Sequence, residues 1–232
     1  MTPVPPAPVV VDRALGATGG ELVLRRAGDA YEIISNGVFL MDTRDGTSER
    51  EMVRASLAAL PAERNGVRVL IGGLGVGFSA RAALDDPRVD HVRVIELEQL
   101  VIDWHRGGPL AEAAGDLAAD SRYEPVCADL AGWLAGAAAP GGPRFDAVCL
   151  DTDNGPDWTV VEGNRRLYEP AALDLLDGIL RPGGVIAFWS AMRAPAFAAL
   201  LERRFGAVGT VEIPVRRGEP DIVYLVRGTG GG

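Results

Sequence analysis

From Val67 onward, short apolar runs alternate with amphipathic stretches, and this alternation confines the chain to one broad architecture. The strand candidates are VRVLI (67–71), HVRVIEL (91–97), YEPVCA (123–128), FDAVCL (145–150) and GVIAFWS (184–190). The intervening segments 78–84, 99–105, 110–118, 130–137 and 167–180 read as helices. Short apolar strands separated by helices pack as a parallel sheet covered on both faces. A last helix over 194–205 precedes VGTVEIPV (208–215) and DIVYLVR (221–227), whose short connection suits an antiparallel hairpin.

The stretch before Val67 follows another pattern. Residues 21–42 read as short strands around turns, with Asn36-Gly37 as a strong hairpin signal. A helix is expected over 48–60, opened by a capping box of Ser48 and Glu51. The expected organisation is a flexible proline-containing tail (1–20), a hairpin and helix region (21–62) and an α/β domain (63–228).

The chain carries 23 basic and 32 acidic residues, a formal charge of −9. Such a surface repels phosphate backbones and attracts cations, so no nucleic-acid partner is expected. The N-terminal MTPVPPAPVVVDRALG lacks a basic n-region and a long apolar core, so it does not read as a signal peptide. No run approaches the roughly 18 apolar residues of a membrane span. A cytoplasmic protein without membrane contact is expected. Cys127 and Cys149 lie in apolar strand runs and read as buried thiols; no metal-ligand spacing occurs, so no metal is expected.

Four strand ends carry chemistry. The first strand runs into Gly72, Gly73, Gly75 and Gly77 ahead of a helix. Such a loop lets backbone amides approach a dinucleotide or an S-adenosylmethionine-type ligand, or simply lets strand and helix pack closely. Glu96 ends the second strand, where a carboxylate can accept both hydroxyls of a ribose; Glu98 competes for that role. Asp129 follows the third strand and can either accept from an adenine amine or cap the next helix. Ligands bind at the carboxyl ends of strands in open α/β sheets, so a nucleoside-type ligand is expected. The fourth strand then runs into DTDNGPD (151–157), where Asn154-Gly155-Pro156 reads as a turn and Asp151 as part of the site. Tyr168 lies where the following loop can fold over it, whereas Trp104 reads as packing and His105 as a helix-end residue.

The succession GELVLRRAGDAYEIISNGVFLM, SEREM, VLIGGLGVGFSARAAL, VRVIELEQLVIDW, CADLAGWL, FDAVCLDTDNGP and LRPGGVIAFWS resembles the spermidine synthase-like polyamine aminopropyltransferases, over about residues 21–190. The resemblance implies a Rossmann-like methyltransferase fold, a mostly parallel seven-stranded sheet ending in an antiparallel hairpin, behind a small N-terminal β-hairpin region. It also implies decarboxylated S-adenosylmethionine as donor and a small amine as acceptor. Glu96 would hold the ribose, Asp129 the adenine, and Asp151 would orient and deprotonate the attacking amine. An alkylammonium with a pKa of about 10.4 needs such a base before it can attack.

Three positions depart from the family pattern. Gly75, or Val76 with a one-residue slip, replaces the aspartate that holds the donor's amine. Asn154 replaces the second aspartate of the acidic loop, with Asp153 beside it. Glu49-Arg50 replaces a Tyr-Gln pair that lines the substrate pocket, which makes Glu49 a candidate substrate residue. Two other readings follow from these departures. One is methyl transfer from S-adenosylmethionine, its carboxylate cradled by the amides of residues 73–77. The other is a repurposed member without a sulfonium cofactor, either cyclising an amine intramolecularly or serving as a non-catalytic partner subunit. A homodimer or a heteromeric partner is expected from the resemblance.

Overall fold

Two sheets organise the chain in the computed structural model, which describes residues 7–152, 154–159, 161–216 and 218–229. The first is antiparallel, in the order β1 (Val9–Leu15), β2 (Glu21–Ala27), β3 (Ala30–Ser35) and β4 (Val38–Asp42). Asn36 and Gly37 both have positive φ, 51° and 77°, as a tight hairpin with the right-handed twist of its strands requires. Within the flexible tail expected over 1–20, residues 9–15 form strand β1. Val9 pairs with Arg26 and Leu15 with Glu21 along β2, because the β-branched run Val9-Val10-Val11 favours an edge strand despite its proline-rich approach. Leu22, Leu24 and Ile33 bury the inner face. Glu32, also buried, is ion-paired to Arg25 and Arg44, which hold its carboxyl below the usual range against the opposing effect of burial.

Helix α1 (Thr47–Ala58) starts one residue earlier than expected, and the Ser48–Glu51 capping box does not form. Gly46 is the cap residue, Asp45 accepts from the Thr47 amide and hydroxyl, and Glu51 pairs with Arg54 instead. A side chain at Gly46 would strike the Phe78 ring, 2.0 Å away. Met52, Val53, Ser56 and Leu57 form the buried face of α1.

The second sheet contains β5 (Val67–Gly72), β6 (Val89–Glu96), β7 (Tyr123–Cys127), β8 (Phe145–Leu150), β9 (Leu180–Ser190), β10 (Val208–Ile213) and β11 (Asp221–Arg227). Their order is β10-β11-β9-β8-β5-β6-β7, with β9, β8, β5, β6 and β7 paired in parallel and β11 antiparallel to both neighbours. The helices α2 (Phe78–Leu84), α3 (Gln99–His105), α4 (Leu130–Ala137), α5 (Pro170–Gly178) and α6 (Pro195–Phe205) cover its faces. Strand periodicity divides the core: Val69 and Ile71 pack with α1, α2 and α3, whereas Leu70 packs with α4, α5 and α6.

The helix expected over 110–118 is replaced by turns and a short 3-10 segment, Leu117–Ala119. Leu110, Ala114 and Leu117 are buried at helical spacing, but Gly115 takes φ +71° and breaks the segment. Their periodicity records burial alone. Likewise Leu167 and Tyr168 belong to a 3-10 segment, and α5 begins only at Pro170. Cys149 is buried, with its thiol pushed up to about 12 by burial, but Cys127 is exposed, contrary to expectation.

At the amino end of the central strands, Asp146 is 1% exposed and binds Arg64 at 2.8 Å, Arg181 at 3.0 Å and the Arg68 amide at 2.8 Å. This ties the approach to β5 to β8 and β9. Removing one partner of a buried ionic network leaves the others uncompensated. Asp146→Ala is expected to lower stability by about 3 kcal/mol, read from the urea midpoint at constant slope.

Candidate active site

Strand order reverses beside β5, between β6 on one side and β8 on the other, and this opens a crevice at the carboxyl ends of the strands. The glycine loop forms its floor. Gly73 has φ +90°, and a Cβ there would lie 2.2 Å from the Asp151 carbonyl oxygen. Gly75 has φ +49°, and a Cβ there would lie 2.2 Å from Met41 Sδ on β4. Both glycines line a cavity of about 420 Å³. Gly72 and Gly77 do not; they pack beneath Leu130 and against His105, respectively. Leu74 and Val76 turn into the core.

Most amides of this loop are already engaged. Gly73 N–H donates to Ile95 O at 2.9 Å and Gly77 N–H to Leu74 O at 2.8 Å. Glu96 accepts from the Leu74 amide at 2.7 Å and the Glu98 amide at 2.8 Å. Burial pushes the Glu96 carboxyl up, and these donors pull it back. Glu98 accepts from the Ala17 amide with both oxygens, at 2.8 and 3.0 Å, which draws the β1–β2 turn onto the cavity. Asp129 caps α4 through Gly132 N–H at 3.0 Å and pairs with Arg166, so the capping alternative is realised on the cavity wall.

His105, read from sequence as a helix-end residue, is buried and bonds Gly75 O through Nε2 at 2.9 Å. Burial lowers its pKa, so the neutral ring donates and positions the loop.

Asp151 continues the line of β8, its amide donating to Gly72 O at 2.9 Å. Its Oδ2 accepts from Ser79 Oγ at 2.9 Å. Burial, then the charge of Glu49, raise its carboxyl to about 7 against the lowering effect of Ser79. Glu49, in the first turn of α1, is raised chiefly by burial, as is Asp221 at the start of β11. Asn154 lines the cavity too, while Asp153 lies outside the described residues. Tyr168 does not reach it. The ring is buried edge-on against Phe197, with centroids 5.4 Å apart, in the core beneath α6.

Sequence reading also missed Asp221, Ser79, Ser48, Asp45 and Met41. Asp221 had a usable signal. Because β11 is antiparallel, its first residue lies at the carboxyl ends of the parallel strands. Met41 had none, since nothing local tells that β4 packs on the glycine loop. Among the described residues lining the cavity, eight are carboxylates (Asp42, Asp45, Glu49, Glu96, Glu98, Asp129, Asp151 and Asp221) and none is Arg, Lys or His.

No family model matches the chain. A polyamine aminopropyltransferase of Mycobacterium tuberculosis is 34% identical over 167 residues, which are 72% of this chain and 30% of that protein. The chain therefore spans under a third of the length of this curated relative. A spermidine synthase solved in complex with the transition state analogue AdoDATO superposes with a TM-score of 0.72 at 18% identity, covering 96% of this chain and 74% of that one. Human methyltransferase-like protein 13, solved in complex with SAH, gives a TM-score of 0.61 at 18% identity over 76% of this chain and 81% of that one. In sequence and in fold the chain is spermidine synthase-like, a small antiparallel sheet set before a methyltransferase-like α/β domain.

Proposed function

We propose that this cavity carries out spermidine synthase-like aminopropyl transfer, with Asp151 as the base that orients and deprotonates the attacking amine. The observation that carries the reading is the cavity wall, which is rich in carboxylates and has no basic side chain among the described residues. Such a wall suits a cationic donor and a cationic acceptor together. Gly73, Gly75, Glu96 and Asp129 would hold a decarboxylated S-adenosylmethionine. When bound, that donor supplies a carbon activated by its sulfonium and a thioether leaving group.

Asp151 supplies the remaining chemistry. An ordinary carboxylate lies about 6 units below an alkylammonium, a gap too wide for efficient proton transfer. A carboxyl near 7 halves the gap to about 3 units. Ser79 fixes one oxygen by donating to Oδ2 at 2.9 Å.

Methyl transfer from S-adenosylmethionine has less support. The cradle expected for its carboxylate is largely closed, since the amides of Gly73, Leu74 and Gly77 already have acceptors. The carboxylate would also enter a wall of like charge. A member without a sulfonium cofactor remains the second alternative, and the same titration separates it.

Calorimetric titration is expected to show decarboxylated S-adenosylmethionine binding about tenfold or more tighter than S-adenosylmethionine. Binding of neither, nor of methylthioadenosine, would overturn the reading. Asp151→Asn should lower turnover with an accepted amine by about 100-fold or more, and equal turnover would remove Asp151 from the mechanism.

Stability should move the other way. The folded carboxyl titrates near 7 and the unfolded one near 3.8, so the native state binds the extra proton between these values. Raising the pH through that window costs native stability. Asp151→Asn removes the cost and is expected to raise the melting temperature at pH 8, with the gain fading by about pH 4.

A further inference from the structure

Resting on the amine-alkylating reading, we infer that the acceptor is an amphipathic monoamine, with its nitrogen at Asp151 and its apolar body against Phe39, Leu40 and Val215 at the rim of the same cavity. The rim is built by an irregularity in the small sheet. β4 is an edge strand, paired on one side only, with β3. Met41 lies opposite Ile33 and Phe39 opposite Ile34, so Leu40 is an extra residue with no counterpart in β3. In a regular strand successive side chains face opposite sides of the sheet, and Leu40 would turn away from Phe39 and Met41. With the bulge, all three consecutive residues line the cavity. Pro214 and Val215, which follow edge strand β10, line it from the larger sheet.

These side chains are left to solvent. Phe39 is 51% exposed, Leu40 37% and Val215 38%. Single exposed apolar side chains are ordinary on a surface, but three lining one cavity mark a place where a ligand buries apolar area. The charge of the cavity selects that ligand further. Eight carboxylates and no basic side chain among its described lining residues suit a cation. The occupant therefore joins an ammonium to an apolar body.

The rim does not invite a second charge. Asp42, next to Met41, is paired with Arg44, and Asp45 accepts from the Thr47 amide and hydroxyl. Thr47, and then the charges of Arg216 and Arg50, hold the Asp45 carboxyl below the usual range against burial. Arg216 directly follows Val215, so an ammonium carried to the rim would meet a like charge. The acceptor class that follows is a primary amine on an extended alkyl or arylalkyl group, uncharged at its far end. The transfer step is unchanged: Asp151 takes one proton from the ammonium, the freed nitrogen forms the C–N bond, and the C–S bond breaks to a neutral thioether.

The test is calorimetric titration of the full chain with butylamine, hexylamine and 1,6-diaminohexane. Hexylamine is expected to bind about tenfold tighter than butylamine, because its added methylenes reach the rim. 1,6-Diaminohexane, which carries a second ammonium to the same place, should bind about threefold or more weaker than hexylamine. Phe39→Ser with Leu40→Ser should cut the hexylamine gain to below about threefold, with melting temperature as the folding check. Val9→Ser, at an exposed position on β1 at the opposite edge of the small sheet, should leave the gain unchanged. Equal affinities for butylamine and hexylamine would overturn the assignment. So would 1,6-diaminohexane matching or exceeding hexylamine, or a gain that survives the double substitution. A dimer in sedimentation that the double substitution dissolves would assign the rim to a contact between copies, and would overturn it as well. Because binding is read without the donor, a protein that grades these amines yet transfers no aminopropyl group would sink the transferase reading alone. Transfer to 1,4-diaminobutane with none to hexylamine would sink this assignment alone.

Discussion

The amide of Asp151 donates to the carbonyl of Gly72 at 2.9 Å, and the rest of the site depends on that bond. It extends the pairing of β5 and β8 one step beyond the strands, where the glycine loop leaves one and the acidic segment leaves the other. The Asp151 carbonyl comes so close to Gly73 that no side chain fits between them. The floor and Asp151 are thereby fixed to each other by backbone, with little reliance on side-chain rotamers. Ser79, in the first turn of α2, then sets the carboxylate. Pre-organisation of this kind holds a carboxylate in place before any ligand arrives.

The acids of the cavity show what such a site costs its host. Glu49, Asp151 and Asp221 are all driven toward protonation by burial, and their charges oppose one another. Elsewhere the chain treats buried acids differently. Glu32 has two arginines, and Asp146 has two arginines and an amide. The contrast separates structural carboxylates, which are fully compensated, from those left for a ligand to compensate.

The α/β order was legible because strand runs and helix runs differ in period, and the ends of β5, β8 and α2 to α4 follow from Gly, Asp and apolar spacing alone. Glu96, Asp129 and Asp151 could be placed in one crevice because strand ends converge in such sheets. The failures have physical causes. Residues 110–118 have helical spacing in burial without helical backbone, and Tyr168 follows the acidic loop yet turns into the core. Ser48 looked like a cap because Glu51 follows it by three, but the helix starts earlier and frees its hydroxyl for the cavity. Asp221 and His105 act across long sequence separations, on groups that only the folded sheet brings near.

The small antiparallel sheet supplies part of the cavity wall, including Met41 and Asp42, and its Leu22, Leu24 and Ile33 join the core cluster that contains α1, with a few polar contacts beside them. Asp12 accepts from Trp104 Nε1 at 2.8 Å, Glu98 accepts from Ala17, and Met41 fills the space over Gly75. A wall assembled from two sheets exists only while they are docked. Any measured ligand affinity is then the intrinsic affinity multiplied by the docked fraction, so a substitution at Asp12 or Trp104, remote from every reacting atom, would weaken binding through that population alone.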